Sequence, residues 1–317
     1  MGPGYIALRE GAAWLDLSGR GRIRMTGEDR VRLLHAMCTN DVQHLAPGAG
    51  CYTFFLNAQG RILADANVLC HSGALLLDTE PEAREFLLGH IDRYIIADDV
   101  ALEDATAATA AVGLEGPKAE AALAAAGAPA PEAGCAHVAW GDRLVVRAST
   151  TGMPGFAILT APQDREALLR TLEAAGAVAA TPAAARTVRI EAGKPRYGED
   201  ITDRFLPHET QLLHAVHFTK GCYLGQEIVE RVRSRGGVHR FLVRMELEAG
   251  EPPVAGTPVL ADDKTLGEIT SAAYSPSSGK VAALGYVRLE EIKPGMSLRA
   301  AGYPVAITAT RPASTSE

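Results

Sequence analysis

Along the first hundred residues the period of apolar and polar positions changes several times. Arg22-Ile23-Arg24-Met25 alternates, as a half-buried strand does, and Gly27-Glu28-Asp29 then opens a stretch where Val31, Leu33, Leu34 and Met37 recur at helical spacing. The runs Cys51-Tyr52-Thr53-Phe54-Phe55-Leu56 and Ile62-Leu63-Ala64-Asp65-Ala66-Asn67-Val68-Leu69 flank Asn57-Ala58-Gln59-Gly60, which predicts a hairpin, and Ala74-Leu75-Leu76-Leu77 predicts a further strand. Thr79 and Glu82 have the spacing of a capping box and Pro81 suits a first helical turn. Phe86, Leu87, Ile91, Tyr94 and Ile95 then make an apolar stripe, so a helix is expected there.

From about Thr106 the chain turns alanine-rich. The order of signals becomes strand, a helix begun by Pro117, two or three strands, a helix over Gln163 to Ala174 and a strand near Ala177 to Ala180, the split β-α-β plan of a ferredoxin-like unit. Alanine favours helix but buries little area, which predicts a thin core and a scaffold role. Beyond Phe241 the pattern shifts again to short runs with Gly and Pro turns: Leu242-Val243-Arg244-Met245-Glu246-Leu247, Pro258-Val259-Leu260, Gly267-Glu268-Ile269-Thr270 and Tyr303-Pro304-Val305-Ala306-Ile307. These predict a small β-barrel or sandwich. The tail from Arg311 to Glu317 is expected to be disordered.

Composition agrees with a folded chain. Of 317 residues 47% are hydrophobic and 22% charged, enough to bury a core, and the length exceeds what a single core usually organises. Cys38, Cys51, Cys70, Cys135 and Cys222 are scattered singly, so neither a disulfide framework nor a Cys-x-x-Cys metal site is expected, and a reducing cytoplasm fits. No secretory signal pattern and no membrane-spanning apolar run is read, so a soluble, unexported protein is expected. A net charge of -7 argues against a broad nucleic-acid surface.

Several side chains are candidates for chemistry. Cys222 lies between Gly221 and Gly225, just before a helix expected over Gln226 to Ser234, with Lys220 two residues away. A helix N-terminus and a nearby cation both favour thiolate, so a nucleophile, a metal ligand, a redox-sensitive thiol and a small buried hydrophobe all stay open. One cysteine does not hold an iron–sulfur cluster, which takes about four protein ligands. Arg231, Arg233, Arg235, His239 and Arg240 form a local basic cluster suited to an anion or to solvent. The acidic candidates are Asp65, Glu191, Glu199, Asp200 and Glu209; an inward Glu191 is placed to accept N–H donors from a heteroaromatic ring or to pair with an arginine. His214 and His217 have no helper ligands at suitable spacing, so no metal is expected, and no P-loop, dinucleotide fingerprint or G-x-S-x-G elbow occurs.

Lys220-Gly221-Cys222-Tyr223-Leu224-Gly225-Gln226-Glu227 resembles the K-G-C-[FY]-x-G-Q-E signature of the YgfZ family, relatives of the glycine cleavage T-protein, a tetrahydrofolate-dependent aminomethyltransferase. Arg189-Ile190-Glu191-Ala192-Gly193 with Tyr197-Gly198 and Asp200-Ile201 resembles the T-protein R-x-E-A-G-x-x-x-Y-G-x-x-I segment. Gly267-Glu268-Ile269-Thr270-Ser271, Ser275-Pro276 and Ala283-Leu284-Gly285-Tyr286-Val287 resemble its C-terminal signals.

The resemblance implies an α+β, three-domain ring: a discontinuous folate-binding part over 1–105 and 186–238, a ferredoxin-like middle over 106–185, and a small β-barrel over 239–310. It implies tetrahydrofolate or a derivative as cofactor. Glu191 matches the pterin-contacting glutamate, Lys220 stands where the T-protein has a basic residue near the folate, and Asp65 matches the second aspartate of G-G-x-x-D-D, whose first is Ala64 here. Tyr197, Glu209 and Arg231 are further cofactor-binding candidates, and Cys222 and Asp65 the catalytic ones. The YgfZ branch implies a folate-binding accessory protein for assembly or repair of iron–sulfur proteins, with assembly factors or client enzymes, some of them tRNA-modifying, as partners. The alternative is a folate-dependent aminomethyl or one-carbon transferase; a tRNA-binding module is a third reading, with direct nucleic-acid binding not expected.

Overall fold

The computed structural model describes residues 2–262, 264–293 and 295–310, and the Arg311 to Glu317 tail lies outside them. The chain opens on α1 (Pro3–Glu10) and β1 (Ala13–Asp16), followed by β2 (Gly21–Thr26), α2 (Arg30–Met37), β3 (Gly50–Leu56), β4 (Ile62–His71), β5 (Ala74–Thr79), α3 (Pro81–Asp92) and β6 (Ala101–Asp104). Strands β2 to β6 make one antiparallel sheet in the order β3-β4-β5-β2-β6. Alternation along β4 decides the site. Ala64, Ala66 and Val68 join the apolar cluster with Ile23, Met25, Phe55, Leu77 and Leu87, so Asp65 and Asn67 project from the opposite face.

Thr79 does not cap α3. It is still a ladder residue of β5, opposite Gly21, and its hydroxyl donates to the carbonyl of Asp65. Glu80 takes the cap position without a side-chain bond to the helix backbone, and α3 stops at Asp92, which leaves Tyr94 and Ile95 beyond the helix.

The middle sheet contains β7 (Ala110–Glu115), α4 (Ala119–Ala125) packed on it, β8 (His137–Trp140), β9 (Arg143–Val146), β10 (Gly155–Thr160), α5 (Arg165–Ala174) and β11 (Val178–Ala179). Its strand order is β11-β1-β7-β10-β9-β8. The early strand β1 is inserted between the first and last strands of the alanine-rich segment, antiparallel to β7 and parallel to β11. At four residues, Ala-Trp-Leu-Asp is too short for its alternation to announce this.

The chain returns through α6 (Pro182–Ala192), where the Thr181 hydroxyl accepts from the Ala184 amide (3.2 Å), Pro182 occupies the first turn, and Gly193 ends the helix at φ 77°. Then come α7 (Pro207–Thr210) and α8 (Gln226–Arg235). Strands β12 (Phe241–Leu247), β13 (Pro258–Ala261), β14 (Lys264–Ser275), β15 (Lys280–Val287), β16 (Leu298–Ala300) and β17 (Tyr303–Ala309) close into a six-stranded barrel, order β12-β15-β14-β13-β16-β17. The fully buried Asp200 ties barrel to helix: its carboxylate accepts from Thr270 (2.6 Å) and Ser271 (2.7 Å) and pairs with Arg189. The fold is α+β. No helix among the described residues is long and apolar enough to cross a membrane.

Candidate active site

A cavity of about 740 Å³ is walled by β3 and β4, by β1, β7 and β10 of the middle sheet, by one side of α6 and by the loop that follows it. None of the described barrel residues lines it. Trp14, Tyr52, Tyr197 and His214 give it aromatic surface, and charged side chains reach it from β1, β2, β4, β5, α6 and the loop after α6.

Most of those charges are matched. Arg20 grips Asp78 (Nε–Oδ2 3.0 Å) and also Glu80; Arg196 bridges Glu80 (3.0 Å) and Glu82 (2.8 Å); Arg186 and Arg189 share Glu199 (2.9 and 3.0 Å). Arg22, fully buried, donates to the Leu17 carbonyl (2.6 Å), and Arg147 bonds Glu120 (3.1 Å) and the Pro131 carbonyl. Two groups differ. Asp65 is in no ion pair, and Lys194 Nζ has neither a hydrogen-bond nor an ion-pair partner among the described residues.

Asp65 is 7% exposed and accepts one side-chain hydrogen bond, from the Tyr52 hydroxyl (2.6 Å). Burial, with the negative charge of Glu80 second, pushes its carboxyl up to about 6. Such a group changes charge close to neutrality, where a proton acceptor or donor is most effective. Tyr52 is driven well above the usual tyrosine range by the same burial and by Asp65, so it stays a donor. Burial pulls Lys194 below the usual lysine range, and burial together with the Lys194 charge lowers His214.

Of the cofactor-binding and catalytic residues expected from sequence, the structure brings Asp65 and Tyr197 to the cavity, as it does the acidic candidate Glu199 and His214, and sets Glu191, Lys220, Glu209, Arg231 and Cys222 elsewhere. The Tyr197 hydroxyl donates to the Leu63 carbonyl, so the ring, not the hydroxyl, is offered to a ligand. Glu191 lies outside the cavity wall. Residues 182, 185, 186 and 189 of α6 face the cavity, while Glu191 accepts from the Tyr5 hydroxyl (2.7 Å) and approaches Arg9 (3.6 Å). Lys220 is also turned away: its ammonium donates to the carbonyls of His35 (2.6 Å), Cys38 (2.8 Å) and Asn40 (2.7 Å), which uses all three protons. Glu209 is a helix cap, accepting from the Leu206 amide (2.7 Å) and pairing with Arg240 (2.7 Å). Arg231 is exposed on α8, and Cys222 is an exposed free thiol before that helix; neither lines the cavity.

Sequence reasoning passed over Tyr52, Lys194 and the segment 147–151. Tyr52 sits in a run read as plain strand, and its role appears once the β3 to β4 pairing, with Phe54 opposite Asp65, is known. Lys194 had a signal, since it directly follows the glycine that ends α6 and must leave the helix axis. The Ser149 to Thr151 wall is held by Glu115, which accepts from the Ser149 hydroxyl (2.8 Å) and the Thr150 and Thr151 amides (2.8 and 2.9 Å).

Comparison with known proteins gives two family matches that together span nearly the whole chain: GCVT N-terminal domain over residues 4–220, and Glycine cleavage T-protein C-terminal barrel domain over 240–312. An aminomethyltransferase of Nostoc sp. is 30% identical over 97% of this chain and 86% of its own. One from Rubrobacter xylanophilus is 32% identical over 89% and 78%. The crystal structure of glycine cleavage system aminomethyltransferase T from Bartonella henselae superposes with a TM-score of 0.87 at 22% identity, covering 99% of this chain and 89% of that one, which shows the shared fold.

Proposed function

The chain belongs to the glycine cleavage T-protein family, and from that premise we propose that it is a folate-dependent aminomethyl or one-carbon transferase whose site is the Asp65 cavity. The observation that carries this reading is Asp65 itself: a buried carboxyl held by Tyr52, in no ion pair among the described residues, and poised near neutrality. The relatives named aminomethyltransferase support the reaction class.

The residues present fit tetrahydrofolate. The volume lies within the roughly 300–1,000 Å³ of ligand pockets. Trp14, Tyr52 and Tyr197 offer faces to a flat bicyclic ring, and Asp65 and Asn67 accept or exchange N–H bonds. When bound, tetrahydrofolate supplies the nitrogens that carry a one-carbon unit. Asp65 takes or returns the proton at the reacting amine, Tyr52 fixes the carboxyl by donating to Oδ2, and burial, with the charge of Glu80 second, keeps its pKa high enough for both roles. Arg20, neutralised by Asp78 and Glu80, holds that environment without pairing with Asp65. The test is production of methylene-tetrahydrofolate from an aminomethylated carrier by wild type and by Asp65→Asn; activity equal in the two sinks the assignment.

A second reading is the YgfZ one, a tetrahydrofolate-binding accessory protein for iron–sulfur maturation. The exposed free Cys222, in the Lys220 to Glu227 loop and off the cavity, favours it. If Cys222→Ser restores iron–sulfur enzyme activities in a deletion strain as fully as wild type does, that thiol is not the working group.

A further inference from the structure

Two opposite charges share one cavity without meeting. Asp65 and Lys194 each feel the other's field, yet they form no ion pair. Every arginine on the wall has a bonded acceptor, and Glu115, the other carboxylate near Lys194, is occupied by donors from Ser149, Thr150 and Thr151. A desolvated ammonium with no bonded acceptor among the described residues is costly, and such a group in a cavity is a candidate for completion by a ligand.

The stem of Lys194 is also held in place. Its amide donates to the Arg189 carbonyl (3.0 Å), and its carbonyl accepts from Arg189 Nη1 (2.8 Å). Its side chain runs over Gly152, which sits at φ 81°; a Cβ there would stand 3.2 Å from Lys194 Cβ and 3.8 Å from Cδ. A fixed cation and a fixed hydrogen-bonding carboxyl, set apart in one chamber, are the complement of a molecule with a carboxylate at one end and an amine at the other.

We propose that the cavity takes, beside folate, a small zwitterionic amino acid, with its carboxylate on Lys194 and its nitrogen facing Asp65. This rests on the folate reading and deepens it by giving the class of a second ligand that the same chamber binds. Lys194 is then the residue that selects an amine bearing an acid over a plain amine.

The experiment is calorimetric titration of tetrahydrofolate-saturated protein with glycine, β-alanine and 4-aminobutyrate, a series whose length gauges the gap between the two groups, and with methylamine and acetate as half-ligands. One member of the series is expected to bind at least about tenfold more tightly than either half-ligand, as befits two charge-assisted contacts in place of one. Lys194→Met is expected to weaken that member by about tenfold or more, Lys194→Arg to recover most of the loss, and neither to change the thermal midpoint enough to indicate misfolding. No binding by any member, or equal binding by Lys194→Met, overturns the proposal. So does a Lys194→Met protein that loses affinity for tetrahydrofolate but not for a tetrahydropterin lacking the glutamyl tail, because Lys194 then holds that tail. If wild type fails to bind tetrahydrofolate, the folate reading falls, whereas the same series titrated into the ligand-free protein still reports on the Asp65 and Lys194 pair.

Discussion

Replacing Asp65 by Asn should make the ligand-free protein more stable while disabling it. The carboxyl is pushed from 3.8 to about 6 by burial and Glu80. At about 1.4 kcal/mol per pH unit, ionised Asp65 costs the folded chain about 3 kcal/mol relative to the unfolded one. Because the folded value lies above the unfolded one, the contribution of Asp65 to stability is most favourable below about pH 4 and is lost as pH rises through about 6. Asparagine does not ionise and its Oδ1 still accepts from Tyr52, but its amide needs a new acceptor, which offsets about 1 kcal/mol. The amide cost is the same at both pH values and cancels between them, so urea unfolding of both proteins should show Asp65→Asn gaining about 2–3 kcal/mol at pH 8 over its difference from wild type at pH 4, with transfer activity down by about 10² or more. A difference that stays constant from pH 4 to pH 8, or an Asp65→Asn protein that is relatively weaker at pH 8, would refute the reasoning about this carboxyl.

Lys220→Met should cost about 2–5 kcal/mol, because three buried or part-buried carbonyls lose their donor at once; a loss below about 0.5 kcal/mol in urea denaturation would contradict the structural role assigned to it. Glu191→Gln should leave tetrahydrofolate affinity within about threefold of wild type, a change under 1 kcal/mol, since the carboxylate faces Tyr5 and Arg9 and not the cavity. A larger drop measured by fluorescence titration would return Glu191 to the ligand. Thiol titration of the native protein should show a single fast-reacting cysteine that disappears in Cys222→Ser, as Cys38, Cys70 and Cys135 are buried and burial raises the Cys51 thiol; persistence of the fast phase would show that another thiol is accessible.

Where the amino-acid pattern was strong, the elements were legible. The alternation of 22–25, the hairpin around Asn57 to Gly60, the helix after Pro81 and the short strands beyond Phe241 all correspond to observed elements. Strand β1 was not legible, because its place is decided by pairing with β7 and β11, about one hundred residues or more away in sequence. Helix α6 was within reach, as Thr181-Pro182 at one end and Gly193 at the other are ordinary start and stop signals. That miss had a consequence. Helical spacing sends Arg186 and Arg189 to the cavity and Glu191 around the cylinder, a distinction that a short motif read as a string does not make. Asp65 was found through both its motif and its position in an apolar strand, whereas its partner Tyr52 required the register of the hairpin, and the isolation of Lys194 required knowing which arginines were already paired.

A crystal structure of the protein with tetrahydrofolate shows directly whether folate binds in the Asp65 cavity. The pterin ring is predicted to lie in the chamber bounded by Tyr52, Asp65 and Tyr197, with Lys220 still bonded to its three carbonyls and Glu191 untouched. A ligand lying against Glu191 or the Cys222 loop, with the cavity left to solvent, would contradict the account.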